Sequence, residues 1–177
     1  MFTVVLGGAR SGKSSFAESI GRRHPGPVTV VATCPRIPGD IDLDTRIDRH
    51  RADRPGEWTT IEERVDLEGA LERAGDDFVI IDCLTLWVNN LIHRGDAEAD
   101  VQAATDAALL AIARRTGATL AISNEVGLGI IPDNPLARSY RDVLGRVNQA
   151  WVAAADRAVL LVAGKALALT DPAELLR

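Results

Sequence analysis

The chain has 177 residues, a length that suits one domain with a full core. Hydrophobic residues make up 46% of it, which excludes a disordered chain. The net charge of -5 argues against a nucleic-acid partner, since domains that hold phosphate backbones carry a basic excess.

Thr3 to Leu6 is an apolar, β-branched run and reads as a buried strand. It leads into Gly7-Gly8-Ala9-Arg10-Ser11-Gly12-Lys13-Ser14, which fits the pattern G-x4-G-K-[ST]. Glycines let the backbone curl so that several N–H groups face one anion, and the helix that follows adds its positive end. Lys13 is placed to reach terminal phosphates and Ser14 to ligate Mg2+. A chance glycine-rich turn would lack the flanking strand and helix. The loop predicts a bound nucleoside triphosphate and leaves open what is done with it.

A first helix is predicted from Lys13 to about Arg23, with Phe16, Ala17 and Ile20 inward and His24-Pro25-Gly26-Pro27 as its stop. Val28 to Ala32 is a second buried strand and completes a β-α-β unit. Cys34 to Asp40 reads as a loop. Asp42 to Arg54 is dense in charge and is predicted helical, with Arg46, His50 and Arg54 one turn apart on one face. Trp58 to Ile61 reads as a short strand ending at Glu62 and Glu63.

A helix follows from Val65 to Ala74. Phe78 to Asp82 is an apolar strand ending in a carboxylate, the expected partner of a phosphate loop in holding Mg2+ through its water shell. Leu84 to Leu91 is predicted helical with Trp87 and Leu91 buried, then a polar break from His93 to Asp100, then a helix from Val101 to Arg115. Thr119 to Ser123 is a buried strand. The loop from Asn124 to Pro135 is unusually apolar, which predicts that it covers something. Leu136 to Ala155 is a long helix whose Leu136, Tyr140, Val143, Val147, Trp151 and Ala154 recur at core spacing. Arg157 to Val162 is a last buried strand, and Gly164 turns into a short tail.

Buried strands alternating with helices predict an α/β fold of the P-loop NTPase-like kind, mostly parallel with helices on both faces, in one domain over residues 1–177. Cys34 and Cys83 have no zinc-type spacing and are expected as reduced thiols, which points to the cytoplasm. No signal peptide and no membrane span are expected.

The phosphate loop, together with later blocks, resembles the bifunctional adenosylcobinamide kinase and adenosylcobinamide-phosphate guanylyltransferase family. Those blocks are Ala32-Thr33, Arg46-Ile47-x-x-His50-x-x-x-Arg54-Pro55, Trp58 with Glu62, and Asp82-Cys83-Leu84-Thr85-Leu86-Trp87 with Asn89-Asn90-Leu91. Then come Asn124-Glu125-Val126-Gly127-x-Gly129-Ile130-x-Pro132, Ala137-Arg138, Arg141-Asp142, Gly145 and Asn148-Gln149. The resemblance spans nearly the whole chain in order. It implies phosphorylation of the aminopropanol hydroxyl of adenosylcobinamide by ATP or GTP. GMP is then transferred from GTP to adenosylcobinamide phosphate through a GMP-histidine, with release of pyrophosphate. The histidine matches His50. Nucleotide contacts fall on Gly7, Gly8, Ala9, Arg10, Ser11, Gly12, Lys13 and Ser14, on Ala32, Thr33 and Cys34, on Arg51, Ala52, Asp53 and Arg54, and on Glu62 and Asp82. A homo-oligomer is also implied.

On the residues alone, His50 reads first as one polar side chain of a solvated helix face, and the resemblance reverses that reading. A neutral imidazole flanked by Arg46, Arg49, Arg51 and Arg54 is nevertheless a competent nucleophile, and the arginines suit a departing pyrophosphate. Asp48 and Asp53 act the other way on its protonation. The sequence names no general base for the kinase step. The corrinoid is expected at the loop from Asn124 to Pro135, outside the strands' carboxyl ends. The alternatives are a P-loop small-molecule kinase without guanylyltransferase activity and a non-enzymatic nucleotide switch or motor-type ATPase module.

Overall fold

The computed structural model describes residues 1–35, 45, 47, 48, 51, 52 and 54–176. Seven strands form one sheet: β1 (Phe2–Gly7), β2 (Val28–Ala32), β3 (Thr59–Glu62), β4 (Phe78–Asp82), β5 (Thr119–Asn124), β6 (Arg157–Val162) and β7 (Lys165–Leu169). Their spatial order is β3-β2-β4-β5-β1-β6-β7. All neighbours pair in parallel except β6 and β7. Among the described residues, the continuous helices are α1 (Lys13–Gly21), α2 (Leu67–Arg73), α3 (Leu84–Arg94), α4 (Glu98–Arg114) and α5 (Pro135–Ala154), followed by a 3-10 turn at Pro172–Leu176. This is the expected α/β, P-loop-like arrangement.

The central strands are apolar throughout because both their faces are covered. On one face, Val4, Leu6, Val31, Val79, Ile81 and Ala121 meet α2 to α5, with Trp87, Leu91, Leu144 and Trp151 fully buried between them. On the other face, Val5, Val30, Ile80 and Ile122 meet α1 through Ala17, with Trp58 at the margin. The helix starts are set locally. The Asp66 carboxylate accepts the Gly69 N–H at 2.9 Å, and the Asn134 side chain accepts the Leu136 N–H at 2.8 Å ahead of Pro135.

Four expectations are corrected. The predicted tail contains β7, joined to β6 by Ala163 and Gly164, which have φ of 50° and 75°. That two-residue turn matches the twist of a hairpin, and a strand exposed along its length carries no buried alternation to announce it. The polar break from His93 to Asp100 is mostly helix. Gly95, at φ 101°, closes α3, and the Ala97 N–H donates to Asp100 at 2.9 Å to open α4. Leu136 and Ala154 are exposed, so the buried stripe of α5 is narrower than its apolar spacing suggests. Among the described residues the apolar loop is a poor cover: Val126 packs against the core, but Leu128 and Ile130 are 85% and 98% exposed.

Of the predicted helix from Asp42 to Arg54, Thr45, Ile47, Asp48, Arg51 and Ala52 are helical. Arg46, Arg49, His50 and Asp53 lie outside the described residues, as do most of the predicted loop and the start of that helix.

Candidate active site

Parallel strands bring β3, β2, β4, β5 and β1 to a common carboxyl edge, and the phosphate loop leaves from its β1 end. The curl is enforced by close approach. A Cβ on Gly7 would lie 2.6 Å from both the Leu161 carbonyl oxygen and Ser11 Oγ. Gly12 caps α1 at φ 101°, in the left-handed region that favours glycine. The Gly164 N–H donates to the Ser11 carbonyl at 2.9 Å, so the β6–β7 turn braces the loop.

Lys13 is buried, and its Nζ donates to the Gly7 carbonyl at 2.9 Å, the Gly8 carbonyl at 2.6 Å and Ser11 Oγ at 3.4 Å. Burial pulls its ammonium below the usual lysine range, with Cys83 and Asp82 acting the other way. Gly8, Ala9 and Arg10 are exposed at the tip of the loop, and Ser14 stands half-buried in the first turn of α1.

Asp82 ends β4. Its carboxylate lies 3.6 Å from Arg54 Nη2, an arginine side chain only 10% exposed. Glu62 ends β3 and pairs with Arg51 at 3.5 Å. Arg51 and Arg54 are therefore tied to the same edge as the phosphate loop. β5 separates β4 from β1, with Asp82 opposite Ile122 and Gly7 opposite Asn124. Asp82 thus sits about 10 Å to the side of β1 and about 7 Å short of the Gly7 level.

Between these strands lies a polar frame that single-residue reasoning missed. Thr33 Oγ1 donates to the Cys83 carbonyl at 2.7 Å and accepts its N–H at 2.8 Å, while the Thr33 N–H donates to the Asp82 carbonyl. The Asn90 side chain donates to the carbonyls of Thr33 and Arg64 at 2.8 and 3.0 Å. Thr85 Oγ1 accepts the Asn124 N–H at 2.7 Å, Asn148 Nδ2 donates to the Asn124 carbonyl at 3.0 Å, and the Tyr140 hydroxyl donates to the Thr85 carbonyl at 3.0 Å. The signal was present as polar side chains, Asn90 and Asn148, on the inner faces of helices otherwise apolar there. Thr33 and Cys83 face each other as structure, and burial first, then Asp82, pushes the Cys83 thiol up to about 11. That direction favours the thiol over the nucleophilic thiolate.

Glu63 sits beside the edge. Burial opposes its ionisation, but the N–H groups of Val65 and Asp66 and the Arg73 guanidinium outweigh this and hold the carboxyl below the ordinary range.

The structure therefore gathers residues 7–14 and 32–34, Arg51, Arg54, Glu62 and Asp82 along one edge. His50 and Asp53 lie outside the described residues. Among the described residues no cluster of three metal-ligating side chains occurs. A hydroxyl at Ser14 and a carboxylate at Asp82 are instead the sparse hard-oxygen donors that suit a cation completed by phosphate oxygens and water.

Over residues 3–169 the chain matches the family described as cobinamide kinase / cobinamide phosphate guanyltransferase. It is 38% identical over 178 residues to the bifunctional adenosylcobalamin biosynthesis protein CobU of Salmonella typhimurium, covering 93% of this chain and 97% of that one. It is 37% identical over 166 residues to the bifunctional adenosylcobalamin biosynthesis protein CobP of Pseudomonas aeruginosa, covering 93% and 94%. An ATPase from the type III secretion system of pathogenic bacteria superposes with a TM-score of 0.60 at 10% identity, over 91% of this chain and 51% of that one. That likeness is one of fold.

Proposed function

Since the chain belongs to the cobinamide kinase / cobinamide phosphate guanyltransferase family, we propose that one catalytic domain here performs both reactions in adenosylcobalamin biosynthesis. The first moves a phosphoryl group from ATP or GTP to the hydroxyl of adenosylcobinamide. The second moves GMP from GTP to the resulting phosphate. The observation that carries this reading is the attachment of the arginine segment to the phosphate-loop edge, through Arg54 to Asp82 and Arg51 to Glu62.

In this reading residues 7–14 cradle the triphosphate, and Lys13 neutralises charge as the terminal phosphate transfers. Residues 32–34 and 51–54, with Glu62, seat the guanine nucleotide. Thr33 does so through the shape of its backbone, because its hydroxyl is committed to Cys83. Ser14 and Asp82 would hold Mg2+, which when bound would supply positive charge to offset that of the phosphates. In the second reaction a nitrogen of His50 attacks the α-phosphorus of GTP. An N–P bond forms, the bond to the bridging oxygen breaks, and pyrophosphate leaves with the electron pair. An oxygen of adenosylcobinamide phosphate then displaces the imidazole. Splitting one displacement into two lowers each barrier.

The corrinoid rests against Leu128, Ile130 and Ile131, exposed on the loop that leaves the same edge after β5. The exposed Leu167 and Val162 beside the free edge of β7 support a homo-oligomer. The two free cysteines support a cytoplasmic location. Among the described residues no helix is long and apolar enough to cross a membrane.

The test is incubation with Mg2+ and GTP labelled at the α-phosphate, beside His50→Ala. An acid-labile, alkali-stable protein label that the variant lacks is expected. Intact phosphorylation of adenosylcobinamide without any label would leave a kinase with no catalytic role for His50.

A further inference from the structure

The two proposed reactions make different demands on a base. The first acceptor is an alcohol, whose proton must leave as the O–P bond forms. The second acceptor is a phosphate already ionised at neutral pH, with no proton to remove. A group that accepts a proton is therefore needed by the kinase step alone.

Among the described residues, the carboxyl edge offers few carboxylates free for that task. Asp82 faces Arg54, Glu62 faces Arg51, and Glu63 is spent on two backbone N–H groups and Arg73. Glu125 differs. It follows the last residue of β5, the strand that lies between the phosphate-loop strand and the Asp82 strand. Its backbone N–H donates to the Gly7 carbonyl at 3.1 Å, the same oxygen that accepts Lys13 Nζ. Its half-buried carboxylate accepts the Gly127 N–H and pairs with no cation among the described residues.

The preceding residue is held firmly. Asn124 is bonded through its N–H to Thr85 and through its carbonyl to Asn148, and Thr85 is bonded in turn to Tyr140. Glu125 thus follows this anchored strand end, lies at the start of the apolar loop proposed to carry the corrinoid, and shares the Gly7 carbonyl with Lys13 through its backbone N–H. A base built on a fixed element loses little to reorganisation.

We infer that Glu125 is the catalytic residue that accepts the hydroxyl proton of adenosylcobinamide in phosphoryl transfer. The alcohol O–H bond breaks toward a Glu125 oxygen while the alcohol oxygen bonds to the γ-phosphorus. The bond from that phosphorus to the β,γ-bridging oxygen breaks, and the nucleoside diphosphate leaves with the pair. The protonated carboxyl then returns its proton to water. This step rests on the kinase half of the proposed function.

The experiment compares wild type, Glu125→Gln and Glu125→Ala in two separate assays: phosphorylation of adenosylcobinamide by ATP, and GMP transfer from GTP to preformed adenosylcobinamide phosphate. Glutamine retains an oxygen to accept the Gly127 N–H, so the fold of the loop is kept. The expected result is a kinase kcat lowered by about 10²–10⁴ in Glu125→Gln, with the KM for ATP and the rate of GMP transfer within about threefold of wild type. Added formate should restore part of the kinase rate of Glu125→Ala. A kinase rate within threefold of wild type in Glu125→Gln would overturn the inference, and so would an equal loss in both assays, which would place Glu125 in the shared nucleotide seat. Failure of the underlying reading shows elsewhere: a wild-type protein that transfers GMP but never phosphorylates adenosylcobinamide has no kinase step, and the inference falls with it.

Discussion

Replacing Thr33 with valine keeps the volume and shape of the side chain and removes one oxygen. That oxygen makes two hydrogen bonds, giving to the Cys83 carbonyl and taking from its N–H, at 2.7 and 2.8 Å. Thr33 is fully buried, so water has no easy route to replace it. Leaving a buried donor or acceptor without its partner costs about 1–3 kcal/mol, and the half-buried setting of Cys83 places each loss toward the lower end. The two together give about 2–4 kcal/mol. For a chain of this size that corresponds to a fall in melting temperature of roughly 5–15 °C. Calorimetry on wild type and Thr33→Val measures it directly. The bonds also link the ends of β2 and β4, so GTP affinity should fall along with stability. A melting temperature within 2 °C of wild type would show that the link carries no load, and the frame described around Asp82 would have to be abandoned.

Acid stability offers a second check. The Glu63 carboxyl is held below its ordinary range in the folded state, so its contribution is present above the pKa of the unfolded glutamate and disappears as pH falls through the folded value. Urea midpoints of wild type and Glu63→Gln should therefore differ most above about pH 5 and draw together as pH falls below the ordinary glutamate range; parallel curves through that acid range would refute the assignment. On the apolar loop, Leu128→Ser and Ile130→Ser each remove a side chain that stands in solvent here. If corrinoid binding buries them, each should raise the KM for adenosylcobinamide by about tenfold to a hundredfold, with melting temperature and ATP affinity unchanged. An unaltered KM in both variants would exclude that loop as the corrinoid seat.

Much of this protein was decided locally. The apolar runs of β1, β2, β4, β5 and β6 are legible because strands covered on both faces must be apolar throughout. The phosphate loop is legible because a backbone that curls around an anion has to use glycine at Gly7 and Gly12, where any Cβ collides or φ is left-handed. Lys13 and Asp82 followed from placing motifs at strand ends, which parallel strands then bring to one edge, whereas Arg51, Arg54 and Glu62 were named by the family resemblance.

What the sequence left open depended on which strands became neighbours. Periodicity is a property of one segment and says nothing about sheet order, so only the fold shows that β5 inserts between β1 and β4 and sets Glu125 beside Gly7. The hairpin of β7 was hidden for the same reason, since its partner β6 and its brace on Ser11 are tertiary contacts. Thr33, Asn90 and Asn148 stand out along the chain only as polar side chains or motif members, with no partner indicated. They become structural because their hydrogen bonds join residues 24 to 57 positions apart, a distance in sequence that only packing closes.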